Sequence, residues 1–140
     1  MKNNLSIESI KQLKLRKSIL VSVAISELSK MITSIEEEID KLNLYLNELK
    51  DSQSSYKRDF YQGLSQYEKF NSDVFLKFNL ELEKYSWKID QKIDGINNAE
   101  EQLLKLQSEQ QILKNQYIEL MRKLEKYAYI QNNLIEVDEC

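Results

Sequence analysis

Few residues in this chain are suited to chemistry. The densest run of carboxylates is "EEEID" at residues 36–40, the one cysteine is the final residue, Cys140, and there is no histidine. Paired acids serve as general acid and base where an enclosed site drives their pKa values apart. Glu36 and Glu37 read instead as neighbours on the solvated face of a helix. One terminal thiol without histidine forms neither a metal cluster nor a cysteine–histidine dyad, and it has no second cysteine for an internal disulfide. The two glycines, Gly63 and Gly95, lack the neighbours of a phosphate-binding loop. The expectation is a protein that is not an enzyme, with no catalytic residue, cofactor or metal.

Charge offers a different chemistry, attraction to a partner. Lys2, Lys11, Lys14, Arg16 and Lys17 stand against Glu8 alone in the first 17 residues, whereas residues 36–40 are acidic and "EVDEC" closes the chain. With a net charge of only −3, this banding matters more than the sum. The basic patch is too modest for a nucleic-acid reader, and it has no zinc site, glycine-rich clamp or basic region leading into a zipper. Asn3, Asn4, Glu8 and Gln12 weaken it as a membrane-surface helix. The apolar run "ILVSVAI" at residues 19–25 is shorter than a membrane span, and no cleavage site follows it. A cytoplasmic protein without an integral membrane segment is expected.

The elements that must carry these residues are helices. The chain has no proline and two glycines, with 41% hydrophobic and 31% charged residues, which suits one apolar stripe per helix. Leu28, Ile32, Ile35, Ile39, Leu42, Leu46 and Leu49 recur in steps of four and three, the spacing of a coiled-coil seam. Val21 and Ile25 extend it upstream, while Leu20, Val23, Ala24 and Met31 widen it and suggest more than one neighbour. Downstream a polar Gln53 precedes Tyr56, Phe60 and Gly63. The second half repeats the pattern through Leu82, Tyr85, Ile89, Ile93 and Ile96, with an irregular step beside Gly95. It then runs regularly through Ala99, Leu103, Leu106, Gln110, Leu113, Tyr117, Leu120, Leu124 and Tyr127. Gln110 is a polar layer, either a tolerated mismatch or a device that fixes register.

Between the seams, Asn71, Ser72 and Asp73 are successive candidate N-caps. Gly63 allows the first helix to end nearby. The expected fold is all-α, a long antiparallel two-helix coiled-coil hairpin over residues 1–140, with helices at about 5–65 and about 73–135 and a tip at about 63–73. Residue i then faces roughly residue 140 minus i. Lys11, Lys14, Arg16 and Lys17 therefore lie opposite Arg122, Lys123 and Lys126, giving the end that carries both termini a basic band. Tyr56, Phe60, Tyr67, Phe70, Phe75 and Phe78 crowd the tip, where they close the hairpin or form a recognition surface. Tyr61, Tyr67 and Phe70 are the candidates for partner contact there, and Trp87 lies off the seam.

The layout resembles the FliJ/YscO-like family of type III secretion central stalk proteins. Residues 10–28, "IKQLKLRKSILVSVAISEL", are similar to its basic, leucine-rich opening through Leu15, Arg16, Ala24 and Glu27. Tyr56, Arg58, Gly63, Phe75 and Leu82 resemble its middle, and Leu120, Arg122, Lys123, Leu124 and Glu125 its closing helix. The resemblance implies a non-enzymatic stalk in the bacterial cytoplasm, peripheral to the inner-membrane secretion apparatus. Its paired termini reach into the hexameric secretion ATPase, its hairpin faces the export gate protein, and it also handles substrate chaperones. Fewer arginines and glutamines, and the weakly charged "SILVSVAIS", depart from the family pattern at the expected ATPase contact. A structural coiled-coil tether or filament component that self-associates is the alternative.

Overall fold

The two seams close on one another in the computed structural model, which describes residues 2–66 and 72–139, with side chains over 6–64 and 72–133. Helix α1 spans Lys2–Gln66 and α2 spans Ser72–Glu139, packed antiparallel as a hairpin. Both run slightly beyond their expected outer ends. Asp73 in the first turn of α2 complements the positive end of the helix dipole. Gly63 stays helical with ordinary backbone angles, so it does not end α1. Tyr67, Phe70 and Asn71 lie outside the described residues.

The chain divides into two compact units. The terminal unit joins Met1–Thr33 to Leu104–Cys140. Val21 and Ile32 of α1 and Leu120 and Leu124 of α2 are buried there, together with Ser18 and Gln131. Ser18 satisfies its hydroxyl by donating to the Leu15 carbonyl at 2.6 Å. Gln110 crosses the pair: its Nε2 donates to the Ser29 hydroxyl at 2.6 Å and to the Ile25 carbonyl at 3.2 Å. A glutamine so bound fixes register, because sliding α2 by one turn would strand its amide.

The central unit, Ser34–Leu103, has a core of Leu46, Ile89 and Ile96, with Leu42 and Leu49 packed against it. An aromatic cluster follows, in which Phe78 stacks on Phe60 at 3.7 Å between centroids and on Tyr56 at 5.5 Å. The expected irregular step beside Gly95 is absent. Ile93 is 37% exposed, and Lys92 takes the seam position, so the alternation runs Ile89, Lys92, Ile96, Ala99. A lysine serves there because its stem is apolar and its Nζ lies 4.7 Å from the centre of the Tyr45 ring.

Two helices cover only one stripe of each other. Leu20, Val23 and Met31, expected to meet further neighbours, are 70%, 50% and 52% exposed, and only Ala24 of that group is half-buried.

Candidate functional site

Charge separates between the units. The terminal unit holds 11 Lys and Arg against 8 Asp and Glu, a net of +3, and the central unit holds 9 against 15, a net of −6. Within the terminal unit the helix pairing brings three predicted basic residues together. Lys14 and Lys17 of α1 and Lys123 of α2 line one groove of about 440 Å³, with Gln116, Glu119 and Leu120. Helical spacing explains the grouping: Lys17 follows Lys14 by three positions and Lys123 follows Leu120 by three, so each pair shares a face. Lys123 Nζ lies 3.6 Å from Glu119 Oε1. This exposed pair is worth little and leaves the groove with three ammonium groups against one carboxylate.

The other predicted basic residues are placed differently. Lys11 holds a half-buried position rather than an outer one, because it continues the seam that runs through Lys14, Ser18 and Val21. Its Nζ donates to Gln131 Oε1 at 3.3 Å. Gln131 in turn donates to Glu8 Oε2 at 2.6 Å, and Gln12 donates to Glu8 Oε1 at 3.1 Å. These bonds, from Gln131 first and then Gln12, with the nearby Lys11 charge adding, hold the Glu8 carboxyl below its usual range. Lys11 thus belongs to a polar clasp between the helices. Arg16 lines a separate shallow hollow on α1 with Glu8, Ser9, Gln12 and Leu13. Arg122 and Lys126 are exposed and line neither the groove nor the hollow.

At the aromatic cluster, Tyr61 is 59% exposed and sets its ring edgewise against Phe60 and Phe78 at 5.8 Å. Tyr67 and Phe70, predicted to share its role, lie outside the described residues. Tyr56, Phe60 and Phe78 pack among themselves. A second groove, not expected from the sequence, runs along α2, where Tyr56, Leu80, Lys84 and Trp87 help to line about 790 Å³. Trp87 is 62% and Leu80 49% exposed. The signal for it is the recurrence of Leu80, Lys84 and Trp87 at helical spacing.

The first groove presents ammonium groups, and the second adds the rings of Tyr56 and Trp87 to the ammonium groups of Lys77 and Lys84. Among the described residues no group of three or more His, Cys, Asp or Glu is placed to hold a metal ion. Helix residues Ser6–Leu64 include an 18-residue window of mean hydropathy 1.4, with 17% of it buried, which is long and apolar enough to cross a membrane by length and composition. No protein-family model matches the chain, and neither a curated protein nor a solved structure does.

Proposed function

We propose that the protein is a non-enzymatic coiled-coil connector, the central stalk of a type III secretion export apparatus. It works in the bacterial cytoplasm at the inner-membrane machinery. The observation that carries the reading is the gathering of Lys14, Lys17 and Lys123 from two helices into one groove of a unit with net positive charge. Such a groove suits acidic or polar side chains inside the ring of a hexameric secretion ATPase, and oppositely charged surfaces speed and orient docking. The exposed Tyr61 is the contact toward the export gate, and the groove at Trp87 suits a substrate chaperone. Gln110 bound to Ser29 holds the helices in register, so a push on one is carried by both. The protein hydrolyses nothing itself. The test is co-purification: the chain, expressed from its native locus with a tag, is expected to bring down a hexameric secretion ATPase. Its recovery without any such ATPase, under conditions that preserve the hexamer, would overturn the stalk role.

The second reading is a tether that associates with itself. The exposed Leu20, Val23 and Met31 favour it.

A further inference from the structure

We infer that two copies of this chain pair antiparallel through the outer face of α1 over residues 13–31, around a two-fold axis at the level of Ser22. The face is a second stripe, separate from the seam that meets α2. It consists of Leu13, Lys17, Leu20, Ala24, Glu27 and Met31, spaced by four and three throughout. Leu13 is 64%, Leu20 70% and Met31 52% exposed, so both ends of the stripe and Leu20 at its centre are apolar and open, while Ala24 is half-buried. Neither Lys17 nor Glu27 forms an ion pair among the described residues.

The order of residues in the stripe selects the partner. Read from both ends it is self-complementary: a two-fold axis at Ser22 sets Leu13 against the second copy's Met31, Lys17 against its Glu27 and Leu20 against its Ala24. Every contact then occurs twice, as an isologous interface requires. The large Leu20 meets the small Ala24, which lets two helices approach closely. Parallel pairing in register would set Lys17 against Lys17 and Glu27 against Glu27, with like charges repelling. A lipid surface has no use for Glu27 between Ala24 and Met31, because an anion there opposes anionic headgroups. Lys14 and Lys123 share the groove with Lys17, so the second copy's Glu27 approaches three ammonium groups.

The inference shares Lys17 with the groove proposed for ATPase docking, so its readouts are taken on the chain alone, without ATPase. Sedimentation equilibrium of the full chain across the micromolar range is expected to give a reversible dimer. Lys17→Glu and Glu27→Lys, on the exposed face, should each leave helix content unchanged and weaken the dimer about tenfold, two ion pairs being turned into repulsions in each case. The double variant restores both pairs and should dimerise as wild type does. An equimolar mixture of the two single variants should form a heterodimer tighter than either homodimer, because all its facing charges are opposite. Leu20→Glu should abolish pairing. As a second measurement, Leu20→Cys mixed with Ala24→Cys, both carrying Cys140→Ser, should form the mixed disulfide in preference to either like pair. A monomeric wild type, variants and mixture that sediment alike, or a dimer that survives Leu20→Glu would overturn the proposal. So would a monomer that floats with phosphatidylserine vesicles through Leu20, which would assign the face to a membrane.

Discussion

Replacing Phe78 with alanine should remove the best-packed side chain of the central unit. At 2% exposure its ring is stacked on Phe60 and contacts Tyr56, Tyr61 and Phe75 within 6.3 Å between centroids. Phenylalanine-to-alanine changes in closed cores cost about 3 to 5 kcal/mol, as lost burial plus the cavity left behind. Tyr61 at 59% and Phe75 at 38% exposure border this site, so water or a shifted ring can fill part of the space. The expected loss is therefore at the lower end, about 3 kcal/mol. Phe78→Leu keeps most of the burial and loses the ring contacts, for about 1 kcal/mol. Leu104→Ala, at a site 67% exposed, should change stability by no more than about 0.5 kcal/mol. Urea unfolding followed by circular dichroism at low protein concentration gives all three values. A loss below about 1 kcal/mol for Phe78→Ala, or an equal loss for Leu104→Ala, would refute the seam assignment that rests on these exposures.

Gln110→Leu should raise the unfolding midpoint while loosening register, since the layer gains an apolar side chain and loses its bond to Ser29; disulfide trapping from a cysteine at 25 to single cysteines at 113 and neighbouring positions of α2 should be less selective with leucine at 110 than with glutamine. A lower midpoint would contradict this. Gly63→Ala and Gly95→Ala should each stabilise the chain by up to about 1 kcal/mol, because a Cβ meets nothing within 4 Å at Gly63 and only Leu42 Cδ1 at 3.8 Å at Gly95; a fall in midpoint for either would contradict that packing. Glu8 has a depressed pKa in the folded chain, so its stabilising contribution is present above the ordinary carboxylate range and is lost as pH falls through the depressed value. Its side-chain NMR titration should fall below that of an exposed glutamate and move up toward it in Gln131→Ala; a midpoint that does not move would contradict the clasp.

The α1 seam from Leu28 to Leu49 was legible because its apolar side chains are all of one kind, and each of them is shielded. Lys92 was not, since a pattern of apolar and polar residues counts lysine by its charge, whereas the seam uses its stem. The same rule hid the seam positions of Lys11 and Lys14. Antiparallel pairing with a short connection placed Lys17 opposite Lys123, and the two meet at one groove. Arg16 and Lys126 were grouped with them because a chain position specifies level along a helix more readily than the direction a side chain faces. Gln110 stood out as a polar layer, but Ser29 as its partner did not, because many hydroxyl and amide side chains lie within a turn of that level. Trp87 was seen to leave the seam, and its groove depended on side chains closing around it in three dimensions.

The measurement that bears most directly on the stalk role is binding of the purified chain to a purified hexameric secretion ATPase at low and at high salt. The wild type is expected to bind, more weakly at high salt because ions screen the groove. Lys17→Glu with Lys123→Glu should bind markedly less at low salt with helix content retained, and Tyr61→Ala should bind as the wild type does. Equal binding by wild type and the double charge reversal at both salt concentrations would contradict the groove as the docking site, and no binding by any form to an intact hexamer would contradict the stalk itself.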